Sequence, residues 1–233
     1  MINPRLAKYL NKLPKGFLRF VIEKITDGIL KKYVTMHVEG KENLDLVKGP
    51  VIYVCNHLSN TDGLLMHKFL KGRDVTFVTG IKLFENKTTE LIMIVAKKIP
   101  LKPNSADKGA ITKIVKTIKA GGSVFIYPEG TRSRTASLNE AKKGISLIVK
   151  LANVPIIPIG MTGSEILMPI NDNADMAAES FHKADININV GKPFNLPEKN
   201  EGESKSDYDC RAVEFVMRNI ASLLPVSYRG VYK

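Results

Sequence analysis

Residues 51–63, VIYVCNHLSNTDG, place a mostly apolar segment directly before a polar turn and the start of an amphipathic segment. A short apolar run that ends in polar residues is typical of a buried strand. His57 stands in the turn, and Asp62 follows it by five positions. The stretch therefore predicts one strand–turn–helix unit whose polar side chains lie at the carboxyl end of the strand.

Short apolar segments typical of strands and longer amphipathic segments typical of helices alternate along the chain. Further strands are predicted at YVTMHVEG, DVTFVTG, SVFIY, VPIIPIGM and DININVGKPF, and helices at TDGLLMHKFL, DKGAITKIVKTIKAGG, AKKGISLIVKLAN and DCRAVEFVMRNIASLL. Asp107 is placed to cap the second of these helices and Gly121 to end it. TTELIMIVAKK fits either a helix or a buried segment, and PEKNEGESKSDYD a mobile loop. Strands separated by helices predict an α/β fold over residues 34–233, with a mixed, largely parallel sheet flanked by helices.

Residues 1–33 predict a hairpin of two short amphipathic helices, divided at Pro14-Lys15-Gly16. The apolar stripes follow helical spacing: Leu6, Tyr9, Leu10 and Leu13, then Leu18, Val21, Ile22, Ile25 and Ile29. Lysines and arginines occupy the other sides. Such a hairpin suits a membrane interface, where the apolar side enters the bilayer and the basic side meets anionic headgroups. A hairpin that packs on the protein's own core would show the same periodicity.

The composition limits the classes of function. The 233 residues are 44% hydrophobic with a formal net charge of +12, which favours an anionic partner. Two cysteines cannot form a disulfide framework, and no apolar run approaches the roughly 18 residues of a membrane span. No signal-peptide core is evident. These features predict a protein of the cytosol, or one attached to a membrane from the cytosolic side.

His57 and Asp62 allow two interpretations. On one ideal helix they would point about 140° apart, but a turn at His57 followed by a helix at Asp62 would let them meet. A carboxylate that holds one imidazole nitrogen leaves the other free to accept a proton, as a general base does. Alternatively, Ser59-x-x-Asp62 is a variant of the helix capping box, which needs no chemistry.

A second polar segment, FIYPEGTRSR (125–134), also follows an apolar strand. Gly130 permits close approach of a ligand to the backbone, and Arg132 and Arg134 can each fork onto phosphate oxygens. Taken alone, the segment is better explained as a polar turn with two solvated arginines. Since open α/β sheets gather their sites at the carboxyl ends of strands, the two segments together predict one site. The histidines lack metal-ligand spacing, and no metal site is expected.

NHLSNTD (56–62) and YPEGTRSR (127–134) resemble the NHxxxxD and (F/Y)PEGTRS signatures of the glycerophospholipid acyltransferases. The central type of that family is 1-acyl-sn-glycerol-3-phosphate acyltransferase. AKKGI (141–145) and VPIIPIG (154–160) resemble two further blocks, and the resemblance extends from about residue 35 to the end. One departure is VAKKIPLKPNS (95–105), which lacks the arginine that usually ends the second block, so that Lys102 is its candidate substitute.

The resemblance implies a reaction. A free hydroxyl of 1-acylglycerol 3-phosphate, at sn-2, attacks an acyl thioester and gives phosphatidate. His57 is implied as the base and Asp62 as its orienting partner. Arg132, with the backbone of Gly130 and Thr131, would hold the acceptor phosphate.

Three further residues carry implied roles. Glu129 is expected to orient its loop or contact the acceptor, and Lys82 and Lys102 to face the ligand. The acyl donor would be acyl-carrier protein or coenzyme A as a co-substrate, with no other cofactor and no metal. The hairpin would then make the protein peripheral or monotopic on the cytoplasmic face of the membrane.

Other functions remain open from sequence. The acceptor could be another lysolipid, such as a lyso-ornithine lipid, or glycerol 3-phosphate. A non-catalytic peripheral lipid-binding module would use the same charge and helices. Nucleic-acid binding is disfavoured because the chain has no Trp, only 7% aromatic residues and no binding motif of that class.

Overall fold

The structure is a computed structural model that describes residues 14–81, 93–102, 107–171 and 179–233. Its helices are α1 (Lys15–Tyr33), α2 (Asp62–Phe69), α3 (Lys108–Lys119), α4 (Gly144–Ala152), α5 (Ser164–Leu167) and α6 (Lys205–Ala221). Its strands are β1 (Val34–Glu39), β2 (Ile52–Cys55), β3 (Val75–Gly80), β4 (Lys97–Leu101), β5 (Ser123–Ile126), β6 (Ile156–Thr162) and β7 (Ala184–Val190). Short 3₁₀ turns occupy Lys41–Asp45, Met93–Val95, Val226–Tyr228 and Gly230–Tyr232.

The strands form one seven-stranded sheet in the order β1-β7-β6-β2-β5-β3-β4. All neighbouring pairs are parallel except β6 and β7, which are antiparallel. The mixed, largely parallel α/β fold predicted from the sequence is therefore confirmed. β2 lies at the centre, between β5 and β6, so the loops that follow β2 and β5 emerge side by side at one edge of the sheet.

Each face of the sheet carries its own core. Alternation along β2 sends Ile52 and Val54 to one face, where α3, α4 and α6 pack. Tyr53 and Cys55 point to the other face, toward α2 and the end of α1. All four residues of β2 are buried, which explains why this strand is continuously apolar rather than alternating.

Helix α1 occupies the part of the chain where the second helix of the hairpin was expected. Leu18 and Ile22 are buried and form a small cluster with Val95, so this side packs on the rest of the protein. Phe17 and Phe20 are each 55% exposed. The first predicted helix, at residues 1–13, lies outside the described residues. Within the described residues no helix has the length and apolarity needed to cross a bilayer.

Two local expectations need correction. The structure describes the segment TTELIMIVAKK (88–98) from residue 93 onward. There a 3₁₀ turn leads into β4, so the helical alternative is wrong for this part. Pairing of β4 with β3 decides the conformation of this edge segment. The expected loop before the last helix is also shorter than predicted. The hydroxyl of Ser204 accepts the Asp207 N–H at 3.1 Å and starts α6 at Lys205.

Gly163, between β6 and α5, provides a test of the fold. Its φ is +93°, and an added Cβ would lie 2.0 Å from the carbonyl oxygen of Asp185. We expect Gly163→Ala to lower the free energy of unfolding by about 2–4 kcal/mol, from left-handed strain and overpacking. Urea denaturation followed by circular dichroism measures this loss.

Gly28→Ala is the matched control, because Gly28 lies within α1 and an added Cβ there meets no atom within 4 Å. That substitution should raise the free energy of unfolding by about 0.5–1 kcal/mol. Equal effects of the two alanines would contradict the close approach at Gly163.

Candidate active site

Asn56 fixes the end of the central strand. Its side-chain amide donates to the Met161 carbonyl at 2.7 Å, and its side-chain oxygen accepts the Met161 N–H at 2.8 Å. A side chain thus continues the pairing with β6 after the β2 backbone has turned away. This position needs both a donor and an acceptor, which an asparagine side chain supplies. The pairing with Met161 also directs the next residue, His57, out of the sheet edge.

The structure brings His57 and Asp62 together. Nδ1 of His57 lies 2.7 Å from Oδ2 of Asp62, whose side chain is fully buried. The same oxygen accepts the backbone N–H groups of Leu58 at 2.6 Å and Ser59 at 2.9 Å. One carboxylate therefore holds both the turn and the imidazole. Ser59 is not the helix cap that the capping-box alternative requires, because α2 begins at Asp62 with Thr61 as its N-cap and no side-chain capping hydrogen bond. With Nδ1 engaged, Nε2 is the ring nitrogen available to a ligand.

Tyr127 supports the imidazole from one side. Its ring stacks on that of His57 with centroids 4.1 Å apart and an interplanar angle of 13°. Burial, followed by the negative charge of Asp62, raises the pKa of Tyr127 well above its usual value, so the phenol stays neutral. The stack and the Asp62 contact leave the ring little freedom to rotate.

Glu129 joins the two loops. One carboxylate oxygen accepts the His57 backbone N–H at 2.8 Å, and the other accepts both the backbone and side-chain N–H groups of Asn139, each at 2.9 Å. The side chain is fully buried. Burial raises the pKa of Glu129 to about 7, an effect that the Asn139 and His57 donors oppose. These contacts place Glu129 behind the site, as a support for the His57 backbone.

The turn after Glu129 places the remaining predicted residues. Gly130 has φ of +66° and donates its N–H to the Tyr127 carbonyl at 3.1 Å, which exposes Thr131 next to it. Arg132 is mostly buried and pairs through Nη1 with Oε1 of Glu179 at 3.0 Å. The other Glu179 oxygen accepts from Asn60 at 2.5 Å, so Glu179 links the turn of Arg132 to the turn of His57.

A cavity of about 320 Å³ opens beside His57 and Tyr127. Its walls are apolar and come from both strands and helices: Val78, Leu101, Ile111, Ile126, Ile145 and Ile148. Three exposed lysines also line it, namely Lys102, Lys142 and Lys143. The arrangement offers a hydrocarbon chain an apolar wall and an anionic group a positive rim.

The predicted site residues are thus mostly gathered at one edge of the sheet. Lys102 lines the cavity and donates its backbone N–H to Asp107 at 3.1 Å. Lys82 lies outside the described residues. Sequence reasoning missed the roles of Asn139 and Glu179 altogether. Neither belongs to a short motif, and Glu179 is 119 residues from its partner Asn60.

The sequence of this α/β domain matches one known protein family. The sequence profile of the family described as Acyltransferase matches residues 35–162 of this chain, which spans β1 to β6. The chain is a member of that family. The matched region contains His57, Asp62 and the Glu129–Arg132 turn.

Particular relatives carry more specific names. The chain is 29% identical over 183 residues to a chloroplastic 1-acyl-sn-glycerol-3-phosphate acyltransferase of Brassica napus, covering 77% of this chain and 51% of the relative. It is 30% identical over 199 residues to a chloroplastic enzyme of the same name from Arabidopsis thaliana, covering 84% and 52%. The chain therefore spans about half the length of these curated relatives.

One solved structure shares the fold. The crystal structure of the 1-acyl-sn-glycerophosphate acyltransferase PlsC from Thermotoga maritima superposes with a TM-score of 0.62 at 21% sequence identity. The match covers 96% of this chain and 83% of that one. It supports the α/β architecture over nearly the whole length of this chain.

Glu129 predicts a pH dependence of stability. Its pKa of about 7 in the folded protein exceeds the ordinary 4.5, so between these pH values the folded state retains a proton that the unfolded chain has lost. This contribution is complete below about pH 4.5 and disappears as the pH rises through 7. The shift corresponds to about 3 kcal/mol.

Urea denaturation at pH 5 and pH 7.5 tests this effect in wild type and Glu129→Gln. The variant should begin less stable, because its amide N–H₂ must face an N–H donor, yet it should lose about 2 kcal/mol less between the two pH values. Equal losses in the two proteins would contradict the raised pKa.

Proposed function

We propose that the chain transfers a fatty acyl group from an acyl thioester to the free sn-2 hydroxyl of 1-acylglycerol 3-phosphate and yields phosphatidate. The observation that carries this proposal is the 2.7 Å contact between His57 and Asp62 beside an apolar cavity with a lysine rim. Family membership and the names of the relatives support the reaction class. The combination suits a substrate with a long hydrocarbon chain and an anionic head.

The chemistry follows from the position of the imidazole. Nε2 of His57 removes the proton of the acceptor hydroxyl as its oxygen attacks the thioester carbonyl carbon. The resulting tetrahedral intermediate collapses with cleavage of the carbon–sulfur bond. The departing thiolate takes the proton back from His57, and the products are an ester and a free thiol. Base catalysis of this kind contributes about 10²–10⁴ in rate.

Asp62 and Glu129 act on His57 from different sides. The Asp62 carboxylate fixes the tautomer and balances the positive charge that the imidazole acquires in the transition state. Glu129 binds the His57 backbone and so acts as a positioning residue rather than as a second base. Of the two roles expected for Glu129, orientation of its loop and contact with the acceptor, we propose the first.

The acceptor phosphate would bind at the second loop. Arg132 presents five donors, of which the ion pair with Glu179 occupies one end, and the backbone of Gly130 and Thr131 lies next to it. Lys102 on the cavity wall would add positive charge near the same ligand. Lys82 is proposed for this role on the family resemblance alone.

The membrane contact would come from residues 1–33, with residues 34–233 forming the acyltransferase domain. In α1, the exposed Phe17 and Phe20 lie among Lys15, Arg19 and Lys24, while the opposite side packs on the protein. Exposed aromatic rings with neighbouring cations suit the interface of an anionic membrane. We propose peripheral attachment at the cytoplasmic face, with acyl-carrier protein or coenzyme A as the carrier of the donor.

His57→Ala tests the reaction. Purified protein is supplied with liposomes that contain 1-oleoylglycerol 3-phosphate and with palmitoyl-coenzyme A or palmitoyl-acyl-carrier protein, and phosphatidate is measured by mass spectrometry. Wild type should form phosphatidate, and the variant should lose at least about 10²-fold of the rate without its base.

His37→Ala is the matched control, because His37 is exposed on the edge strand β1. It should retain wild-type turnover. Full activity in His57→Ala would overturn the mechanism. Thioester cleavage without phosphatidate in wild type would overturn the acceptor.

The double substitution Phe17→Ser and Phe20→Ser tests the membrane contact. Loss of two aromatic rings should weaken binding to anionic vesicles by about tenfold or more. Co-sedimentation with vesicles measures the effect. Val226→Ser is the control, since Val226 is similarly exposed at 61% but lies in the C-terminal 3₁₀ turn. Equal binding by the two variants would contradict an α1 contact.

A further inference from the structure

A second, larger cavity adjoins the site. An open groove of about 720 Å³ lies between α4 and α6. Its lining includes Ile111, Lys143 and Gly144, and the same three residues line the cavity beside His57. The groove and the site cavity therefore meet at the start of α4. A ligand in the groove would therefore end at the wall of the cavity that His57 lines.

The groove suits an amphipathic ligand with an anionic end. Three lysines and three carboxylates line it, and two of the carboxylates are already paired, Asp209 with Lys150 and Glu214 with Arg218. Leu147 and Val231, which are 41% and 64% exposed, provide an apolar surface along it. Lys143 stands where the groove meets the site, and Lys150 lies about 10 Å further along α4. Lys150 pairs with Asp209, whereas Lys205 at the start of α6 makes no hydrogen bond or ion pair with the described residues. The groove thus runs from the site cavity toward Lys205, whose side chain has no partner in the part of the chain that the structure describes.

The position of the groove also separates it from the membrane-facing side proposed above. Helices α4 and α6 cover one face of the sheet, and α1 with α2 covers the other. If α1 lies on the bilayer, the groove opens toward water. The substrate that arrives from water is the acyl donor on its carrier, while the acceptor arrives from the membrane.

We propose that this groove binds the phosphopantetheine arm of the acyl donor, with the thioester at Lys143–Gly144 and the phosphate near Lys205. The inference rests on the proposed acyl transfer. The arm combines amide groups and hydrocarbon along its length and ends in a phosphate, which matches the polar rim, the apolar surface and the distal lysine. Coenzyme A and acyl-carrier protein both carry this arm. A lipid tail fits less well, because an open groove would leave much of it in water.

Cys210 provides a reporter within the groove. It is exposed and lines the groove, whereas Cys55 is fully buried. Alkylation of Cys210 by iodoacetamide can therefore be followed by mass spectrometry in His57→Ala, which we expect to bind the substrates without consuming them. Dodecanoyl-coenzyme A or dodecanoyl-acyl-carrier protein should slow alkylation at least about fivefold.

Comparing the two acyl donors with lipid vesicles shows which ligand binds in the groove. Protection by one donor but not the other identifies the carrier. Protection only by vesicles of 1-oleoylglycerol 3-phosphate would assign the groove to the lipid and overturn the proposal. Protection by neither donor would also overturn it. If wild type still forms phosphatidate in that case, the proposed function stands and the donor groove alone fails.

A kinetic measurement is independent of the cysteine. Lys205→Glu places a negative charge where the phosphate would bind, and the KM for the donor should rise about tenfold with kcat and the KM for the acceptor unchanged. Lys48→Glu makes the same change of charge on an exposed lysine that does not line the groove, and it should leave all three constants unchanged. Identical donor KM values in the two variants would overturn the placement of the phosphate.

Discussion

The buried carboxyl group of Glu129 holds the site together. Its two oxygens collect N–H groups from His57 in one loop and from Asn139 further along its own loop. Neither loop has regular secondary structure to fix it, and both emerge from adjacent parallel strands. The two strand ends lie close together, and the Glu129 side chain between their loops fixes the position of the His57 backbone. The cost is a carboxyl group kept from water, as its raised pKa shows.

The remaining contacts of the site build on this anchor. Asn56 determines where the strand ends, Asp62 and Tyr127 determine the orientation of the imidazole ring, and Glu179 ties the turn of Arg132 to Asn60. Each residue fixes a different degree of freedom. Together these contacts hold the imidazole in one position and one orientation without help from a bound ligand.

Much of this arrangement was predictable because it is local. The strand–turn–helix at residues 51–63 encodes the meeting of His57 with Asp62 within five positions, and the alternation of elements encodes the α/β class. What could not be predicted depends on distant partners. Glu179 contacts Arg132 and Asn60 across 47 and 119 residues. The residues before β4 fit either a helix or a buried segment by sequence, and only the structure shows the 3₁₀ turn at Met93–Val95 that leads into the strand. The groove between α4 and α6 exists only once both helices pack on the same face.

The pairing of β1 with β7 has a consequence for how the chain reaches this structure. Val34 lies opposite Ala184 in register, and β1 has β7 as its partner at the edge of the sheet. During synthesis β1 leaves the ribosome long before β7 exists, so its backbone groups stay unpaired while the central strands can already associate. Closing so long a loop makes this pairing a late and slow step. An unfinished chain thus exposes an open strand edge, the state in which chains of this topology are most prone to aggregate.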